Sequence, residues 1–159
     1  MKFRIDSNIG EVVTKLYNLQ GKVTDAARSQ MIRSADRIVE NAKNYAPEDT
    51  GTLVESIKAR RTYVNRRLSI EIVAGDGPPM PHPYGYNRMI SAADYAALVH
   101  EAYWTFTKKP SEKTLAKIAT YGSKVGEGFL RTAVEEEAER LHRNMIVSVE
   151  KVLLQENFL

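Results

Sequence analysis

The chain is predicted to be an α+β protein. A small curved antiparallel β-sheet packs with a long N-terminal helix and a long C-terminal helix. Three patterns predict this. Ala27, Met31, Ala35, Ile38, Ala42 and Tyr45 recur every three or four residues and form one apolar helical stripe. Leu130, Val134, Ala138, Leu141, Met145, Val149 and Val152 do the same near the other end. Between them Leu68, Ile70 and Ile72 alternate with Ser69 and Glu71, the period of a half-buried strand. With 159 residues, 43% hydrophobic and 27% charged, the chain can bury one core, and residues 1–159 read as a single domain.

The elements follow in order. Residues 9–20 place Val12, Leu16 and Leu19 on one helical stripe. Gly21 weakens the helix and predicts a break or bend, with Thr24 or Asp25 able to restart it. In the next stripe small alanines alternate with larger side chains, so a close neighbour is expected there. Pro47 ends that helix, because proline lacks the amide donor and clashes with the preceding turn. Asp49, Thr50 and Gly51 are turn residues. Thr52 and Glu55 have the spacing of a capping box for a short helical turn whose apolar side is Leu53 and Ile57. Ile57–Val64 then pairs with the Leu68–Ile72 strand through a turn at Asn65-Arg66. Residues 75–83 hold four prolines and two glycines, which predicts an irregular Pro-rich loop over 75–90, of the kind that contacts a partner.

Tyr95–Trp104 fits a short strand or a helix end. Ser111–Tyr121 reads as a short helix capped by Ser111 and stopped by Gly122, with Leu115 and Ile118 on its apolar side. Unbroken from 128 to 156, the last helix would be about 43 Å long. A domain of this size is about 40 Å across. Such a helix overhangs its domain, and its apolar stripe needs a neighbour, which points to an oligomer. The alternative is a break near Arg143-Asn144.

Composition narrows the function. The chain has no cysteine, which excludes disulfides and thiolate metal sites and fits synthesis in a cytoplasm. No apolar run reaches membrane-spanning length, and Met1–Asp6 has no signal-peptide core. The net charge of +3 is mildly basic. It is concentrated at Lys58, Arg60, Arg61, Arg66 and Arg67, ten residues without an acid, which form either a solvated hairpin face or a surface for a polyanion.

Tyr84, Tyr86, Tyr95, Tyr103, Trp104 and Phe106 form a second cluster, suited to an interface or to a satellite core under the loop. His82, between prolines, is expected to be exposed. His100 and Glu101 read as a hydrogen-bonded edge rather than a general base, and His142 has no metal-ligand spacing. Capping accounts for Glu48, Asp49 and Glu55. Neither Gly75-Asp76-Gly77 nor the Gly122–Gly126 segment fits a phosphate loop, and there is no Gly-x-Ser-x-Gly. The expectation is a protein with no catalytic residues, no metal and no cofactor.

A helix ending in Asn41-Ala42-Lys43-Asn44-Tyr45-Ala46-Pro47 leads into Asp49-Thr50-Gly51-Thr52-Leu53-x-x-Ser56-Ile57, then a hairpin. Tyr95-Ala96-x-x-Val99-x-Glu101 follows, and Gly128-Phe129-Leu130-Arg131-x-Ala133 opens the last helix. In this order the chain resembles the neck and minor tail-component (tail completion) proteins of long-tailed bacteriophages, of the Hong Kong 97 type. The matching pieces, 42–57, 95–101 and 128–133, span most of the chain together with the hairpin. The family often has Val-Glu-x-Gly-Thr where this chain has Val99-His100-Glu101-Ala102-Tyr103-Trp104, and proline where it has Thr132. The stretch from Trp104 to Glu127 is also longer here.

The resemblance implies a structural virion protein, made in the host cytoplasm and built into the neck or tail. It implies a homo-oligomeric ring, six-fold to match a tail, around the DNA channel at the head-to-tail junction. Its neighbours would be head-closure or connector rings and tail-terminator rings, and no enzymatic residues come with it. On that reading Lys58, Arg60, Arg61, Arg66 and Arg67 face packaged double-stranded DNA or an acidic neighbour. Pro79, Pro81, Tyr84, Tyr86 and Trp104 face an adjacent ring. Two other classes compete. One is a small basic nucleic-acid-binding module using the same hairpin. The other is an enzyme with a site assembled from Glu48, Asp49, His100 and Glu101.

Overall fold

Helices from the two ends of the chain pack side by side and frame the molecule. The computed structural model describes residues 9–65 and 67–156, with side chains described from residue 13 onward. Helix α1 spans Ile9–Tyr45 and α5 spans Phe129–Gln155. They run antiparallel: Lys22 pairs with Glu156, Gln30 meets Ser148, and Ser34 and Arg37 meet Glu137. Alanines at 35 and 42 let the two backbones approach, and both are buried.

Two expectations about these helices change. The break at Gly21 does not form, and α1 continues through it. One glycine costs a helix only about 1 kcal/mol, which the turns on either side and the contact with α5 from Lys22 onward outweigh. The apolar stripe of α5 is also rotated in its first half. Phe129, Ala133 and Glu137 turn inward, and Val134 and Ala138 are exposed. Phe129 is anchored in the core, and the four-residue spacing then sends 133 and 137 to the same face. Farther along, Leu141, Met145, Val149 and Val152 are half-buried as the stripe requires, and no break occurs at Arg143-Asn144. On the earlier stripe of α1, Leu16 is exposed and Leu19 half-buried, and the side chain of Val12 lies outside the described residues. Met1–Asp6 also lies outside them.

The corner after α1 folds as a five-residue helix, α2 (Thr52–Ser56). Leu53 and Ile57 are buried. The capping box does not form. Thr52 is already the first helical residue, and Gly51, at φ 93°, takes the capping position without a side-chain cap.

Strands β1 (Lys58–Val64) and β2 (Arg67–Val73) form the expected antiparallel hairpin, in register from Lys58–Val73 to Val64–Arg67. The Pro-rich loop is not wholly irregular: β3 (Met80–Pro81) pairs with β4 (Met89–Ile90). A two-residue ladder tolerates a proline, because only one or two donors are needed. Met80 is buried.

Tyr95–Trp104 resolves as a helix, α3 (Ala92–Phe106), capped by Ser91 and kinked at Ala102. The kink has a visible cause. The carbonyl of His100 accepts from Gly128 N at 2.8 Å, and Trp104 N donates to Glu127 Oε1 at 3.0 Å. The segment leading into α5 has inserted into the helical ladder. Helix α4 (Glu112–Tyr121) is capped by Ser111 and stopped at Gly122, as expected.

The core joins Ala42, Tyr45, Ala46, Leu53, Ile57, Ala96, Val99, Tyr103, Phe129 and Ala133. It sits where α1, the corner, α3 and the start of α5 meet.

Candidate functional site

The basic hairpin presents its charges in two directions, because successive side chains on a strand alternate faces. Lys58, Arg60 and Arg67 lie on the outer face. Arg61 lies on the face toward α1, where it reaches Asp36 at 2.7 Å. Lys58 and Arg60 both bridge to Asp76, just beyond β2, Arg60 at 2.8 Å. Lys58, then Arg60, hold the Asp76 carboxyl down to about 2. Three of the sequence-predicted cations are thus paired with acids brought from elsewhere in the chain. Arg67 is exposed, and Arg66 lies outside the described residues.

The aromatic cluster divides. Tyr103 is buried in the core, Tyr95 is half-buried, and Tyr84, Tyr86 and Trp104 are exposed. His82 is the hinge of the exposed group and is itself buried, contrary to expectation. Its ring lies 4.7 Å from Tyr86 and 5.8 Å from Tyr84, and Tyr84 stands edge-on to Phe106 at 5.3 Å. The β3–β4 pairing folds the tip back over it, with His82 N donating to the Arg88 carbonyl at 3.1 Å. Pro79 is exposed and so is Pro81. Trp104 sits elsewhere, against Gly126. A β-carbon on Gly126 would fall 2.7 Å from the indole nitrogen, so only glycine fits beneath the ring.

A cavity of about 450 Å³ opens between the corner and the Pro-rich loop. Pro47, Asp49, Leu53, Met80, Tyr95 and Lys108 are among its walls. The corner beside it is held rigidly. Thr114 donates to the Glu48 carbonyl at 3.0 Å and accepts from Glu48 N at 2.9 Å. Lys117 pairs with the Glu48 carboxylate at 2.9 Å and donates to the carbonyls of Lys43 and Ala46, closing the end of α1. The Lys117 hydrogen bond, aided by Lys113, pulls the Glu48 carboxyl below its ordinary value despite partial burial.

The four residues of the enzyme reading are not assembled. Glu48 and Asp49 line this cavity. Glu101 lines a second one, of about 480 Å³, with Arg88, Ile90 and Leu98, and His100 lines neither. His100 Nδ1 lies 3.0 Å from Glu101 Oε1, and its ring stands edge-on to Phe129 at 5.3 Å. Among the described residues no group of three or more His, Asp or Glu side chains could hold a metal ion. No described helix is long and apolar enough to cross a membrane.

Sequence reasoning missed the cluster at the centre of the α1–α5 contact. Glu137 is 1% exposed. It accepts from Ser34 Oγ at 2.7 Å and from Arg37 Nε at 2.9 Å, and Arg140 lies 3.6 Å from its other oxygen. Burial pushes its carboxyl up, but the Arg37 and Ser34 hydrogen bonds and the nearby guanidinium charges outweigh this, and the net direction is down. The available signal was Ser34 and Arg37, three apart beside the apolar stripe of α1. About two turns farther along α1, Tyr45 donates to Glu136 at 2.6 Å, and Glu136 pairs with Lys124 at 2.5 Å.

Set against known proteins, the chain matches no family model, no curated protein and no solved structure.

Proposed function

We propose that this chain is a structural protein of a tailed-phage virion, assembling as a ring at the head-to-tail junction. One observation carries the reading. The resemblance rests on three separate pieces, 42–57, 95–101 and 128–133, and nine of the ten residues of the core fall within them. Tyr103 is the exception. The pieces that carry the resemblance are those that the fold brings together, which supports reading them as one packing unit.

The surfaces suit assembly better than catalysis. Apolar side chains at Leu16, Tyr17, Val147 and Leu154 are exposed along the far half of the helix pair. Large apolar side chains left exposed on paired helices are available for protein contacts. The Tyr84–Tyr86 tip supplies rigid aromatic area of the type found at interface centres. The hairpin is less suited to a dedicated DNA-binding module, because Lys58, Arg60 and Arg61 are already engaged with Asp76 and Asp36.

The test is reconstitution. Purified protein is added to phage heads and tails made without it, and joined particles are counted by electron microscopy. Joining restored by this chain is the expected result. Failure to bind either heads or tails overturns the proposal, and duplex DNA retained by the free protein at physiological salt would favour the nucleic-acid-binding module instead.

A further inference from the structure

The hairpin is a sheet of only two strands, and among the described residues neither outer edge makes a backbone hydrogen bond. Val64 and Arg67 close a two-residue turn, so they and every second pair after them exchange hydrogen bonds. The N–H and C=O groups of Leu68, Ile70 and Ile72 therefore point outward from β2, and those of Ala59, Arg61 and Tyr63 from β1.

The two edges differ in charge. β1 contains no acid, and its cations are already engaged with Asp76 and Asp36, so two-fold pairing of β1 with its own copy creates no charge pair between copies. Cations on an edge strand are a known protection against pairing. The β2 edge is self-complementary. Antiparallel pairing centred on Ser69 sets Arg67 opposite Glu71 of a second copy, twice by symmetry, and Leu68 opposite Ile70. Arg67 and Glu71 are both exposed on the outer face, and Leu68 and Ile70 are half-buried on the face toward α1. A shift of the centre to Ile70 loses both charge pairs. The centred register also uses the outward-pointing groups of Leu68 and Ile70 as its hydrogen-bonded pairs.

We propose that two copies of the free chain associate through β2, forming a four-stranded sheet β1-β2-β2-β1 across a two-fold axis. This is independent of the ring, which closes by head-to-tail contacts between different patches rather than by a two-fold contact. It concerns the chain before assembly.

The absence of native cysteine makes the register directly testable. In it, Ser69 faces Ser69 of the other copy in a non-hydrogen-bonded pair, whose Cα atoms lie about 4.5 Å apart, within disulfide reach. The full chain carrying Ser69→Cys should oxidise to a covalent dimer at micromolar concentration. Thr62→Cys, also exposed but on β1, should not. Light scattering of the wild type should give twice the chain mass. Arg67→Glu or Glu71→Arg alone should weaken the dimer about tenfold, and the double exchange should restore it, each variant being checked for unchanged helix content by circular dichroism. A wild type of single-chain mass at all concentrations, a mass indifferent to the single reversals, or equal crosslinking at 62 and 69 would overturn the proposal.

Discussion

Glu137 shows how one side chain can sit against the pattern around it. A carboxylate reads as surface, so the sequence predicts the stripe through Val134 and Ala138 instead of the face that holds Glu137. The partners that make burial tolerable, Ser34 and Arg37, lie about a hundred residues away and become visible only when the helices are set side by side. Replacing Glu137 by Gln removes the charge facing Arg37 and should cost about 1–3 kcal/mol. The pH dependence follows from the sign of the shift. The folded-state carboxyl of Glu137 lies below its ordinary value of 4.5, and so do those of Glu48 and Glu136. Their contribution is complete above about pH 4.5 and is lost as pH falls through the lowered values. Urea midpoints measured from pH 7 to pH 3 should fall in acid, and Glu137→Gln should flatten that fall. An equal slope in the variant would show that Glu137 does not carry it.

At the scale of elements, the strongly periodic pieces were legible. The hairpin register, the Ser111 cap, the Gly122 stop and the stripe from Ala27 to Tyr45 all follow from residues a few positions apart. What was not legible depends on distant partners. Tyr95–Trp104 could be read as strand or helix because its kink is imposed by Gly128 and Glu127. The two-residue β3–β4 ladder is too short to have a period. The cations of the hairpin read as a solvated face or a polyanion surface because their partners Asp36 and Asp76 lie outside their stretch. Gly126 is where this distant control is most easily tested. It combines φ 119° with an indole 2.7 Å from where a β-carbon would stand. Gly126→Ala should destabilise by about 1–3 kcal/mol. It should also shift the emission of Trp104, the single tryptophan, as the ring is pushed from its seat. An unchanged spectrum and midpoint would refute the close fit.

For the whole molecule, the sequence predicts an overhang of the last helix, whereas the projecting end belongs to α1. Residues 9–21 reach about 20 Å past the Lys22–Glu156 ion pair. Leu16 and Tyr17, 50% and 70% exposed, lie on this projecting stretch. If assembly uses this surface, Leu16→Glu with Tyr17→Glu should leave the melting temperature of the isolated protein within about 2 °C of wild type, since exposed sites change stability by less than about 0.5 kcal/mol. The same variant should no longer join heads to tails in the reconstitution assay. Normal joining would exclude this surface.

The pairing of the first helix with the last also sets the order of events during synthesis. Ala42, Tyr45 and Ala46 are buried against Phe129 and Ala133, which the ribosome makes more than eighty residues later. At about 5–20 residues per second, the N-terminal helix waits roughly 4–17 s for its partner. Contacts this distant in the chain make folding slow as well as late. Throughout that interval the corner and α3 can cover one side of the stripe, but the side that packs on α5 has no partner. A nascent chain halted before Phe129 should be recognised by holdase chaperones and cleaved readily by proteases, and release from both should come only once the opening turns of the C-terminal helix have emerged.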